Sequence, residues 1–312
     1  MNDALKHKAR ELGLAAVGIA PAIEEVQQAF VWARSVVCAA ISYLPPESKP
    51  PSGVPCSLVA RVARGADYHT VLREKLTQLA QAISTEHPRA RVEVCVDTCP
   101  LPERKLAVLA GIAWRGKNGN VFVDGDGSWV ALGEIVTDIQ ADVQPPQSID
   151  RCGDCRRCID ACPTKAIIAP YEIDCDRCLS ALTQVSGSIP VEMRAAMGNR
   201  IYGCDVCQEV CPQNESISPV TPEFARDIFP GAAPELLPLI SLSAKEFKET
   251  VAASSIGWIR RTRIRRNTAI AAANLRSEAA MPALLEMLED ENPVLREVAK
   301  WAVKEIAGSP SK

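Results

Sequence analysis

RCGDCRRCIDACPTKAI, residues Arg151 to Ile167, decides the fold of this 312-residue chain. Cys152, Cys155, Cys158 and Cys162 follow the spacing C-x2-C-x2-C-x3-C, and Pro163 closes the run. In bacterial ferredoxins with two clusters, the fourth cysteine of such a run serves the other cluster. A second run is therefore required, and it is present in split form. Cys204, Cys207 and Cys211-Pro212 supply its last three places, and CDRC supplies the first, from Cys175 or Cys178. The reading is two [4Fe–4S] clusters. Cys152, Cys155, Cys158 and Cys211 hold one; Cys162, Cys204, Cys207 and either Cys175 or Cys178 hold the other. Soft thiolates suit iron–sulfur units, and crossed ligation brings the clusters together as a relay. Structural zinc on paired C-x-x-C knuckles is the alternative, but the C-x3-C-P endings are ferredoxin chemistry.

Residues 150–215 account for the clusters and leave most of the chain to explain. Upstream, apolar runs LAAVGIA, SVVCAAISY (Ser35 to Tyr43) and RVEVCVDT (Arg91 to Thr98) read as strands, and Tyr68 to Ser84 reads as an amphipathic helix. NVFVDGDGSWVALGEIVTDI reads as two short strands around a DGDG turn. Proline-rich LPPESKPPSGVP is a loop, and Gln144 to Ser148 is a linker. Downstream, RNTAIAAANL, AAMPALLEMLED and PVLREVAKWAVKEI read as three amphipathic helices. The phrase EDENPVLREVA resembles the turn of a HEAT repeat, and about one and a half repeats are too few to stand alone. The fold class is α+β. An N-terminal α/β domain covers residues 1–145, a ferredoxin-like domain 146–225 and a short HEAT-like helical tail 240–312.

Composition narrows the function. Hydrophobic residues make up 47% and charged residues 23%, the balance of a globular protein. No apolar run reaches the roughly 18 residues of a membrane span, and MNDALKHKARELG lacks the core of a signal peptide. A cytoplasmic monomer is expected, and its thirteen cysteines are read as metal ligands rather than structural disulfides. Cys38, Cys56, Cys95 and Cys99 lack ligand spacing and read as small buried thiols. A net charge of −3 excludes wholesale polyanion binding. One local patch remains: Arg260, Arg261, Arg263, Arg265 and Arg266 crowd seven positions, as a phosphate-binding face or a merely solvated one.

The N-terminal part carries neither a Gly-x-Gly-x-x-Gly fingerprint nor a Walker A loop. Polar residues gather instead at strand ends, in ADYH, VDT, WRGKNGN and GSW. Asp97 ends an apolar strand, where a carboxyl group can hold a proton for general-acid work; by position alone it could equally cap a helix. His69, taken alone, reads as a hydrogen-bonded structural residue.

GADYHTVLREKL, VDTCPLPERKLAVLAGIAWRGKN, GSWVALGEIVTDI, CGDCRRCIDACPTKAI, RCLSALTQ, GNRIYGCDVCQEVCPQN and RRNTAIAAANL occur in this order. Together they resemble the epoxyqueuosine reductases, over about Ala4 to Ile306. The resemblance implies a reductive-dehalogenase-like N-terminal domain holding base-off cob(II)alamin beside two [4Fe–4S] clusters. It implies reduction of epoxyqueuosine to queuosine at the tRNA wobble position, with electrons from a ferredoxin or flavodoxin. It makes Asp97 the proton donor and puts Asp67 near the active site. It selects Cys178 over Cys175 as the cluster ligand. Around the cobalamin it expects Asp97, Val121, Leu132, Ala181 and Asp205, within segments Asn118 to Val121, Ser128 to Leu132, Cys178 to Ala181 and Cys204 to Asp205. It turns the five arginines toward tRNA phosphates.

Three features depart from the family pattern, a short helical tail among them. Only PAIEEVQQAFVW separates GIA from ARSVV, where members carry a longer segment, and Arg115 stands before the GKN motif. Two rival readings follow: a diverged cobalamin reductase of another small substrate, such as an organohalide, and an electron-transfer module. The arginine run and helical tail favour tRNA, because a small substrate needs neither.

Overall fold

A computed structural model describes residues 2–47, 52–141, 143, 150–218, 221–225 and 228–308. The linker Gln144 to Ser148 lies outside them, as does part of the proline-rich loop.

Four antiparallel strands form the main sheet: β1 (Ala16–Pro21), β2 (Ser35–Ser42), β3 (Val92–Cys95) and β4 (Val130–Thr137), in the order β1-β2-β4-β3. Every residue of β2 is buried, as its unbroken apolar run SVVCAAIS requires of a strand covered on both faces. Helix α1 (Asn2–Glu11) and helix α2 (Tyr68–Glu86) cover one face, the latter through Leu72, Leu76, Leu79 and Ile83. Gly133, in the middle of β4, permits that approach; a Cβ there would lie 2.7 Å from Leu76 Cδ1. Helix α3 (Glu103–Leu109) covers the other face, where Leu106 packs among Val36, Cys38, Cys95 and Val136.

The three strand expectations before residue 100 hold. Two strands do flank the DGDG turn, which a Val123–Gly127 bridge closes, but they do not pair with each other. Val121–Phe122 pairs with Trp114–Arg115 in a small ribbon, whereas β4 runs eight residues through the sheet centre between β2 and β3. Its apolar run VALGEIVT buries more surface there than a local hairpin could.

The cysteine region is built from short elements and is stitched to the N-terminal part. Arg200–Tyr202 pairs in parallel with Leu58–Val59. After two short helices at Leu236–Ile240 and Ala244–Glu246 come α4 (Arg260–Asn274), α5 (Met281–Met287) and α6 (Pro293–Ala307). α6 is amphipathic and begins with an Asn292 cap and Pro293 in its first turn. α4 differs from expectation. Its residues from Ile264 to Ala273 are all buried, so it is a central helix rather than an amphipathic one. It packs against Leu239, Ile240, Met197, Ile201, Val298 and Ala302. Among the described residues no helix is long and apolar enough to cross a membrane.

Candidate active site and cluster pockets

Cys152, Cys155, Cys158 and Cys211 line one small cavity with Lys117 and Asn118. Burial and the neighbouring Cys211, Cys152 and Cys155 push the Cys158 thiol up, and Cys211 is likewise raised by burial and by Cys152 and Cys155. The second set shows the same signature. Burial raises Cys207, reinforced by Cys204 and Cys178. One half of the expected crossing is seen in space: Cys211 sits with the first run, while Cys178 sits with Cys204 and Cys207. Cys162 accepts a backbone hydrogen bond from Ala166 N at 3.2 Å, as cluster thiolates do. Cys175 is exposed. Crowded thiols of this kind are stabilised when iron neutralises them, so the donor set fits [4Fe–4S] units. The WRGKNGN motif docks here: Lys117 Nζ donates to Cys155 O at 3.2 Å, and Asn118 Nδ2 to Cys207 O at 3.3 Å.

Asp97 lies in the turn that follows β3, with φ +55°, a left-handed conformation costly outside glycine. It caps no helix; the cap is Asp67, whose carboxylate accepts from His69 N at 3.0 Å at the start of α2. The same cap aligns the imidazole. His69 Nδ1 lies 2.7 Å from Asp67 Oδ1, and Nε2 lies 3.2 Å from Asp97 Oδ2. Hydrogen bonds donated to Asp67 and then to Asp97 raise His69 to about 9, and the bond from His69 lowers Asp97. The three side chains form one chain, Asp67–His69–Asp97, with its proton on the imidazole near neutral pH. The modest reading of His69 is therefore incomplete, since its ring bridges two carboxylates.

Glu103 completes the turn by accepting from Asp97 N at 2.7 Å. Burial pushes the Glu103 carboxyl up, and the neighbouring Asp97 charge adds to this. The sequence reading gave no role to Glu103; a carboxylate six residues after Asp97, at the first turn of the next helix, is its only sequence signal. Cys95 and Cys99, read as separate thiols, are bonded to each other across this turn. That corrects the expectation of no disulfide: the turn brings their Cα atoms to 5.7 Å, within bonding range. Cys38 and Cys56 are buried free thiols, as expected.

A cavity of about 220 Å3 opens beside Asp97. Of the expected cofactor residues, Asp97, Val121 and Leu132 line it, with Tyr43, Tyr68 and Asn120. Its lining is mixed: Val121, Val130, Ala131 and Leu132 give an apolar stretch, and Glu103, Arg104, Ser128 and Gln208 supply polar groups that can meet an amide-fringed ligand. Ala181 and Asp205 do not line this cavity. Asp205 is buried in a separate cleft and accepts from Arg61 N at 2.7 Å. Ala181 sits in the short helix Leu179–Leu182 next to Cys178. Arg115, which departs from the family pattern, donates to Tyr171 O at 2.8 Å.

The arginine run divides in two. Arg260 is exposed, and Arg261 and Arg263 are half-buried. Arg265 and Arg266 are interior, which corrects their assignment to a nucleic-acid face. Arg265 bonds Ile240 O at 2.8 Å and Asp290 Oδ2 at 2.6 Å. Arg266 donates to the carbonyls of Val185 (2.8 Å), Leu182 (3.2 Å), Thr183 and Gly187. Burial lowers it to about 10. Asn267 extends the clamp to Thr183 O and Ile201 O, both at 2.8 Å.

Two family models match the chain: the 4Fe-4S double cluster binding domain over residues 151–214, and Epoxyqueuosine reductase QueG over residues 24–98. The epoxyqueuosine reductase of Staphylococcus aureus is 36% identical, covering 90% of this chain and 74% of its own length. That of Bacillus subtilis is 38% identical, covering 89% and 73%. This chain belongs to the epoxyqueuosine reductase family. The solved epoxyqueuosine reductase from Streptococcus thermophilus superposes with a TM-score of 0.90 at 32% identity, covering 100% of this chain and 92% of that one. An epoxyqueuosine reductase solved with an epoxyqueuosine-modified tRNA-Tyr stem loop gives a TM-score of 0.90 at 32% identity, covering 97% and 89%. Membership makes the chain an oxidoreductase of queuosine biosynthesis with a double [4Fe–4S] cluster domain, a mixed α+β fold and an activity directed at tRNA.

Proposed function

We propose that this epoxyqueuosine reductase acts at the wobble position of tRNA and that Asp97, fed by His69, gives the proton to the departing epoxide oxygen. The observation that carries this reading is the hydrogen-bonded chain Asp67–His69–Asp97 at the edge of the cavity. Converting the epoxide to the alkene takes two electrons and two protons and releases water. An acid is therefore required at the oxygen. Asp97 alone is a poor acid, because its hydrogen bond from His69 holds it ionised. The proton resides instead on His69 and passes through Asp97 Oδ2, 3.2 Å away. Asp67 fixes the tautomer and orientation of the ring.

The residues fit cobalamin in its base-off form: Val121 and Leu132 form apolar walls, with Asp97 at the edge. When bound, it supplies low-valent cobalt chemistry for the two-electron reduction. Family membership supports this cofactor. The cysteines Cys152, Cys155, Cys158 and Cys211, then Cys162, Cys178, Cys204 and Cys207, would hold two [4Fe–4S] clusters that take up electrons from a ferredoxin or flavodoxin. The division proposed is a cofactor domain over 1–145, a cluster domain over 146–225 and a HEAT-like region over 240–312. In that region Arg260, Arg261 and Arg263 meet tRNA phosphates, while Arg265 and Arg266 hold the helices to the cluster domain.

The test is anaerobic turnover. The protein reconstituted with iron, sulfide and cobalamin is given tRNA bearing epoxyqueuosine and a low-potential reductant. Formation of queuosine is expected. Cobalt binding without queuosine, coupled to dehalogenation of an organohalide, would overturn the tRNA assignment.

A further inference from the structure

Glu134 is the least explained charged residue in the molecule. It lies on β4 in the sheet interior, fully buried, and neither carboxyl oxygen has a hydrogen-bond partner among the described residues. A buried carboxylate without partners is costly, so such a group is kept neutral. Burial pushes Glu134 well up, and the charges of Glu103 and Asp97 add to this. Burial without a partner therefore favours the neutral, protonated form of Glu134.

Its neighbours are sulfur. The strand register sets Glu134 opposite Cys38 on β2 and opposite Cys95 on β3. Residues directly opposite share a face, with Cβ atoms about 4.5–5.5 Å apart. Cys95 is fully buried, whereas its bonded partner Cys99 is half-exposed at the other end of the turn. The bond encloses Val96, Asp97 and Thr98. It has one sulfur open to attack, one buried sulfur as leaving group and a buried acid beside the leaving group.

We infer that Cys95 and Cys99 are a redox-active pair that fixes the Asp97 turn when bonded, with Glu134 as the proton donor to Cys95 when the bond opens. A dithiol reductant attacks Cys99 Sγ as its thiolate and forms a mixed disulfide. The S–S bond breaks, and the electron pair leaves with Cys95 Sγ. Glu134 protonates that sulfur, which could not remain charged in an apolar interior. The second thiol of the reductant then displaces Cys99 and leaves as a cyclic disulfide. In sum one disulfide is reduced, one dithiol is oxidised, and the dithiol supplies both hydrogens, the second reprotonating Glu134 through solvent. Opening leaves Asp97 held by its bonds with His69 and Glu103 and by the nearby Arg104 charge. Its left-handed backbone persists only when the surroundings over-determine it, so the opened turn relaxes. The effect on turnover rests on the proton-donor role proposed for Asp97; the redox chemistry does not.

The test uses the cluster-loaded full chain in dithiothreitol buffers of graded redox ratio. Isotope-coded alkylation and mass spectrometry read Cys95 and Cys99 separately from the cluster cysteines. The two thiols are expected to appear together as one two-electron transition. Cys99 should then alkylate much faster than Cys95. Hydrogen exchange of the Val96–Thr98 amides should rise by about tenfold or more on opening. Glu134→Gln should slow the opening about tenfold at pH 7 while leaving both end states intact. Cys95 and Cys99 remaining free thiols in fully oxidised buffer would overturn the proposal. So would unchanged exchange on opening, or a Glu134→Gln rate equal to that of the unaltered chain. Asp97→Asn is expected to show the same thiol transition, so a failed proton-donor role and a failed redox pair give different results.

Discussion

Two charged stretches separate in the structure. At the end of β3, Asp67, His69 and Asp97 form an open chain at a cavity edge, and Asp97 remains more than half exposed. In α4, Arg265 and Arg266 are interior and bonded largely to backbone carbonyls. Through the family resemblance, Asp97 and the arginine run are both expected to be functional charge. The difference lies in where the bonds go. A charged group paired with another titratable group at a cavity edge can move a proton. One anchored to fixed carbonyls inside a core can only hold structure.

The largest effect should come from Asp97→Asn. Both cofactors and the fold should be retained, and turnover should fall about a thousandfold, within the range for loss of a general acid. Retention of most of the rate would remove Asp97 from the proton path. Next, Arg266→Leu should cost about 3–5 kcal/mol of stability, because it strips buried carbonyls of their donor. Chemical denaturation reads this directly, and turnover per folded molecule should stay near normal. A stable Arg266→Leu protein that no longer binds tRNA would return Arg266 to the surface account.

His69→Gln should lower turnover about a hundredfold and leave the fold intact. The weakest effect belongs to the exposed end of α4. Replacing Arg260, Arg261 and Arg263 with Ala should reduce the slope of log affinity against log salt by about 2–3, with little change in stability. An unchanged slope would make this end a solvated face.

Much of this was legible in the sequence. The cluster cysteines were, because ligand spacing and Pro163 are local signals of a shared chemistry. Cys178 was not separable from Cys175 by spacing; the structure sets Cys178 beside Cys204 and Cys207 and leaves Cys175 exposed. Strands β1, β2 and β3 followed from apolar runs. The central place of β4 did not, because a turn signal such as DGDG specifies a reversal and not the partner of the strand beyond it. Arg265 and Arg266 were misread for a related reason. Their acceptors are carbonyls on loops about 80 residues upstream and at Ile240, invisible to helical periodicity. The Cys95–Cys99 bond was missed because an export-signal argument speaks to compartment, not to a turn that brings two thiols together.

The pH dependence of single turnover tests the central claim most directly. His69 is raised to about 9 by its two carboxylate partners, so its proton is present below that pH and lost above it. The rate of the unaltered chain should be level through neutral pH and fall along an alkaline limb near pH 9. His69→Gln should show a low rate without that limb. A His69→Gln profile with the same plateau and the same limb would contradict the account.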